Sequence, residues 1–214
     1  MFRKMKDISI LKTLYFNFYY LPFRTALKLP FRVGKHVKIG SMGEGGSVHV
    51  ENASKHIGIG TGQSFGMGET TFWNVGNEGQ LTIRGEATIG KGTQIIVGGH
   101  LILGRNFYCN ANCIINAGKQ VIFGDDALLG WNVTVIDGDG HTMIHENNDM
   151  PKYEEITIGN HVWLAANSSI LKGSTVGDDS VVAYGAIVSK KIDQCNVIIG
   201  GQNRILRTNT NWRK

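Results

Sequence analysis

Aliphatic residues return along this chain at a fixed step of six. Ile83, Ile89, Ile95 and Leu101 set the step; it restarts two residues on as Leu103, Cys109, Ile115 and Val121, then as Phe123, Leu129 and Val135. From Ile158 it runs again through Leu164, Ile170, Val176, Val182 and Val188. A step of six suits neither a helix nor a long strand. It suits short strands joined by tight corners, with one inward aliphatic per strand and Gly, Asn and Asp between. Equivalent positions recur at Ile83, Leu103 and Phe123 early and at Ile158 and Val176 late. The late interval is three hexads and the early one adds the restart, so three strands make a coil. The spacing predicts an all-β triangular prism, a parallel β-helix with coils stacked about 4.8 Å apart. VKIG at Val37, IGIG at Ile57, LTIR at Leu81, LILG at Leu101, VIFG at Val121 and ITIG at Ile156 read as coil starts.

The step fails once. Between Val135 and Ile156 lies IDGDGHTMIHENNDMPKYEE, polar throughout and carrying Pro151 near its end. The segment 136–155 is expected to project from the prism, and long loops in compact domains usually serve function. Counting six from Val135 lands on His141, which the pattern therefore places in the inward series where the coil opens. Asp137 and Asp139 precede it, and either can orient an imidazole or favour its charged form. His145, four residues on, is the second candidate.

Composition supports short strands: 29 of 214 residues are glycine and three are proline. Three cysteines, Cys109, Cys113 and Cys195, make no disulfide framework, which points to a reducing cytoplasm. No run approaches the roughly 18 apolar residues of a membrane span, and the N-terminus lacks the layout of a signal peptide. The net charge of +5 is concentrated: residues 1–32 carry seven Lys and Arg against Asp7, and the remainder sums to −1. LKTLYFNFYYLPF in that segment is aromatic, and the readings that stand are a helical cap over the end of the prism, or contact with an anionic membrane surface or nucleic acid. The expected organisation is a cap at 1–34, a β-helix at 35–207 and a tail at 208–214.

ITIGNHVWLAANSSILKGSTVGDDSVVAYGAIVSK, with the hexads from Val37 to Arg207, resembles the hexapeptide-repeat acyltransferases. The similarity is greatest to the branch of maltose, galactoside and capsular-polysaccharide O-acetyltransferases. LKTLYFNFYYLPFRTALKLP is also similar to the leading helices of polysaccharide-cluster members. The resemblance implies a left-handed coil, a homotrimer, acetyl-CoA as donor, no metal and no nucleic acid, with a sugar hydroxyl as acceptor. It leaves peripheral membrane contact through the basic N-terminus open. DxDxH is similar to the family's catalytic-histidine motif, which implies His141 as general base with Asp139 beside it. A sugar hydroxyl is too weak an acid to ionise near neutrality, and a positioned base contributes about 10²–10⁴-fold. Trp163 matches the Trp of VWIG, whose backbone can face the thioester and serve the oxyanion. Asn110 matches an acceptor-binding asparagine; Asn112 is the alternative, and both also read as corner asparagines. Ala166 and Tyr184 match the pantetheine edge, and Ser189, Lys190, Arg204 and Arg207 the coenzyme-phosphate end. Three departures bear on the donor site: GAGS reads AYGA, VWIGA reads VWLAA, and GNPA reads GGQN. Transfer to an amino-sugar nitrogen uses the same fold and base. A γ-class carbonic anhydrase shares the β-helix, but its zinc-binding histidine spacing is not reproduced by His100, His141 and His145; a scaffold β-helix is the remaining alternative. Direct transfer needs no nucleophilic side chain, so Cys109 and Cys113 are read as structural.

Overall fold

Strands of two to five residues fall into three parallel sheets, each coil giving one strand to each sheet in turn. The computed structural model describes residues 7–40, 45–62 and 70–213. Arg3, Lys4 and Lys6, counted above in the basic segment, lie outside the described residues. The first face runs from Phe31–Val33 through Phe107–Cys109 and Trp163–Leu164 to Ile198–Gly200. The second runs from Val37–Ile39 through Ile114–Ala117 and Thr134–Ile136 to Ile187–Val188. The third runs from Ser47–Val50 through Gln120–Phe123 and Ile156–Ile158 to Lys191–Ile192.

The register follows the hexads. Ile83 pairs with Leu103 and Leu103 with Phe123, so each early coil keeps the same length. Phe123 then pairs with Ile158 across the long loop, and Ile158 with Val176 on a slightly shorter coil. Every residue of the hexad series from Ile83 to Val135 and from Ile158 to Val188 is buried. The early strands bury two alternate residues each, as Leu101 and Leu103 do on the third face. Two inward columns per face thus fill the prism rather than the one expected, with their burial the main favourable term. The coil starts need a correction. Leu81, Leu101, Val121 and Ile156 do share the third face, but Val37 lies on the second and Ile57 on the first. The step from Val37 to Ile57 crosses a face because the chain around them does not keep the later coil length.

Thirteen non-glycine residues among those described have positive φ, eight of them asparagine. Asn112, Asn132 and Asn167 (φ 60°, 56° and 59°) occupy one such place on three successive coils. Asparagine tolerates the left-handed region better than most side chains, which is why it marks corners here.

Helix α1 (Ile10–Tyr20) starts at Ser9, whose hydroxyl accepts from the Lys12 N–H. It lies on the first coil: Phe16 is fully buried, with ring centroids 6.1 Å from Phe31 and 5.6 Å from Trp73. Asn17, also buried, exchanges hydrogen bonds with the backbone of Phe31 (3.0 and 3.1 Å). A short second helix, α2 (Phe23–Ala26), follows. No helix among the described residues is long and apolar enough to cross a membrane.

Candidate active site

The long loop leaves the prism at the edge between the second and third faces, and Asp137 fixes the point of departure. Burial alternates through Val133, Val135 and Asp137, so the aspartate takes the next inward place. Its carboxylate accepts from the backbone N–H groups of Gly118, Lys119 and Gln120 at 2.7, 2.7 and 2.8 Å. These belong to the corner one coil below, and the charge-assisted bonds compensate burial of the carboxylate. Beyond it the chain turns out. His141 is exposed, which corrects its placement in the inward series: the series ends at Asp137, before the histidine is reached.

The loop base is a short antiparallel ladder. Asp139 N–H donates to Lys152 O (3.1 Å) and Glu154 N–H to Asp137 O (2.9 Å). The Tyr153 ring covers Gly118 and Gly138 so closely that a methyl at either would collide with it. From the next coil, Lys172 forms an ion pair with Asp139 and donates to Pro151 O (2.8 Å). Neither Asp137 nor Asp139 therefore bonds the imidazole of His141; no hydrogen bond joins them among the described residues. Past the ladder, a hairpin pairs Ile144–His145 with Asn148–Asp149 through Glu146 and Asn147, both at positive φ. His145 lies there, exposed, 3.9 Å from its neighbour Glu146.

Lys172 and Tyr153 were not singled out from sequence. The visible signal was a lysine in the corner of ILKG, facing the same edge as the loop; its partner Asp139 lies on the other side of the whole loop in the chain. Ser189 and Lys190 occupy that edge one coil further on. Ser189 N–H donates to Asn203 Oδ1 (2.7 Å), and the Asn203 amide donates back to Ser189 Oγ (2.9 Å). Arg204 and Arg207 bound the final strand Arg204–Arg207, which runs antiparallel to Ile198–Gly200 and is exposed along its length.

The other expected residues sit elsewhere. Asn110, Ala166 and Tyr184 line the edge between the first and second faces. Asn110 donates from Nδ2 to Leu129 O (2.9 Å), a bond that bridges adjacent coils. Asn112 beside it holds the positive φ of the corner. Tyr184 points outward, 74% exposed, so its bulk stands in solvent. Trp163 lies on the first face with its N–H donated to Ser180 O (3.0 Å). That corrects the expectation that its backbone serves an oxyanion: the coil ladder has consumed the donor. Ala166, in the following corner, has an N–H with no acceptor among the described residues.

At the third edge the tail returns. Trp212 stacks on His161 (4.3 Å, 13°) and donates from Nε1 to His161 O (2.7 Å). Its ring centroid is 6.0 Å from that of Trp163, so the tail borders the outward face of that residue. His161 Nδ1 lies 2.8 Å from Asp179 Oδ1.

Cys109 and Cys113 are buried. Burial first, then the neighbouring Cys113, push the Cys109 thiol well above its usual range. A thiol so held is not a nucleophile. Among the described residues no group of three His, Cys, Asp or Glu could hold a metal.

Residues 155–190 match the family model described as bacterial transferase hexapeptide (six repeats). The matched segment lies within the late coils and carries the hexads Ile158 to Val188. Two of the curated proteins it is similar to are O-acetyltransferases. The chain is 40% identical to the galactoside O-acetyltransferase of Escherichia coli (strain K12) over 113 residues, 51% of this chain and 55% of the relative. It is 29% identical to the polysialic acid O-acetyltransferase of Escherichia coli O1:K1 / APEC over 134 residues, 62% of this chain and 42% of that one. The chain thus spans about half the length of the curated relatives it matches. The crystal structure of the polySia specific acetyltransferase NeuO aligns with a TM-score of 0.63 at 20% identity, covering 83% of this chain and 82% of that one. That likeness carries the fold.

Proposed function

We propose that the protein is an acetyl-CoA-dependent O-acetyltransferase acting on a sugar hydroxyl of a polysaccharide or its precursor. The coil is left-handed and the working form a homotrimer, with residues 1–34 as cap and 35–207 as the transferase domain. The observation that carries the reading is the pinned loop. Its base is fixed to two coils, and it presents an exposed imidazole beside the segment that matches the transferase repeat.

In this mechanism His141 takes the hydroxyl proton as the oxygen attacks the thioester carbonyl. The carbon–sulfur bond then breaks, and the imidazolium returns the proton to the leaving thiolate. No acyl-enzyme forms. The uncommitted N–H of Ala166 suits the oxyanion, and Trp163 contributes its exposed ring as a wall. Asp139 acts through Lys172, holding the loop rather than the imidazole. Asn110 addresses the acceptor. Ser189, Lys190, Arg204 and Arg207 offer hydroxyl and cationic partners to the coenzyme phosphates, and Tyr184 borders the pantetheine path. His141 and Ala166 lie on different edges of one prism, so the reading requires two subunits to complete each site.

Coenzyme release from acetyl-CoA, measured against a panel of galactosides and sialic acid polymers, tests this. Release dependent on sugar is expected, and His141→Ala should lower kcat by about 10²–10⁴-fold with an unchanged melting temperature. Retention of near-full activity by that variant would refute the base assignment.

A further inference from the structure

The outward face of α1 is apolar along its whole length. Ile10, Leu11, Leu14, Phe18 and Tyr19 are 75, 80, 40, 45 and 42% exposed, and they recur at the three- and four-residue steps of one helical face. Phe23 in α2 and Leu27 just after it extend the patch at 68 and 59% exposure, with the Phe23 ring 6.0 Å from that of Phe18. Large exposed patches of this kind mark interaction surfaces.

Charge identifies the partner. Residues 8–43 contain six Lys and Arg and no Asp or Glu. Arg24, Lys28, Arg32 and Lys35 are exposed at this end of the prism, and Asp7, just before α1, is paired with Lys91 (3.0 Å). Residues 33–214 sum to only −1, so another copy of this chain offers this basic end little net negative charge. An aromatic and aliphatic face rimmed by cations has the composition of a helix lying in an anionic membrane interface. With 11 residues, α1 is about 16 Å long, suited to lying on a bilayer and too short to span one.

We infer that α1 and α2 dock the protein on an anionic lipid surface. Flotation of the full chain with vesicles of phosphatidylcholine alone, or mixed with phosphatidylglycerol, tests this without an acetyl donor, so its failure leaves the transferase reading standing. Binding to the mixed vesicles and not to the neutral ones is expected. Arg24→Gln with Lys28→Gln should weaken that binding more than about tenfold, at about fivefold per charge. Leu11→Ser with Phe18→Ser and Phe23→Ser should weaken it by at least about tenfold, with an unchanged circular dichroism spectrum. Equal affinity for both vesicle types, or none for either, overturns the inference. So does a triple variant whose particle mass falls, which would assign the face to a second copy.

Discussion

Asp137 and Asp139, two residues apart, are indistinguishable as partners for an imidazole when only their spacing to His141 is known. Their environments separate them. Asp137 is buried and accepts three backbone N–H bonds, whereas Asp139 is one-third exposed and paired with Lys172. Asp137→Ala strands three donors, and a loss of about 3 kcal/mol is expected in denaturant unfolding, since bonds to a charged group are each worth about 1.5–3 kcal/mol and do not add fully. Asp139→Asn should change stability by no more than about 1 kcal/mol, while lowering acetyl transfer by freeing the loop. A large stability loss for the second variant and none for the first would reverse the assignment. The sequence announced a histidine at the break in the hexads and named its neighbours. It was silent on Lys172, because a contact across the loop depends on how the next coil stacks.

Corners and loop base extend the argument from side chains to elements. Asn132 at φ 56° carries a strain that a β-branched residue would feel in full. Asn132→Val should therefore cost about 1–2 kcal/mol and Asn132→Gly much less. Side chains also ladder along the third edge: Asp125 accepts from the backbone N–H of Arg105 (2.8 Å) and from its guanidinium. Burial alone would push the Asp125 carboxyl up, but the Arg105 N–H and then its side chain outweigh it and hold it below the ordinary carboxylate range. The folded state thus binds its proton less readily than the unfolded chain. Its contribution is complete above the ordinary carboxylate range and is lost as pH falls through the lowered folded value. Asp125→Asn should accordingly flatten the acid limb of stability measured against pH, and an unaltered limb would contradict the pairing. Strand positions and faces were legible because burial forces a period on the chain. Exceptions came where the period is short of evidence: Val37 and Ile57 belong to coils of irregular length, and their tetrapeptides look alike on any face.

At the scale of the molecule, the residues expected at one site are divided between edges. His141, Ser189 and Lys190 belong to the edge between the second and third faces; Asn110, Ala166 and Tyr184 belong to the edge between the first and second. A prism does not fold one edge onto another, so a site using both must draw on two copies, and a threefold ring presents each edge to its neighbour once. The particle in solution should then have three times the 23.4 kDa chain mass. A mixing experiment separates this from a site within one chain. His141→Ala removes the base from one edge, and Ala166→Trp blocks the other. Each homotrimer should be inactive. In trimers assembled from equal amounts of both, an intact base from one chain meets an intact Ala166 edge from the other at about a quarter of the interfaces. Activity near a quarter of the unmodified protein's is expected from co-refolded mixtures. None should appear if each chain carries a whole site, because no chain in the mixture is free of a lesion.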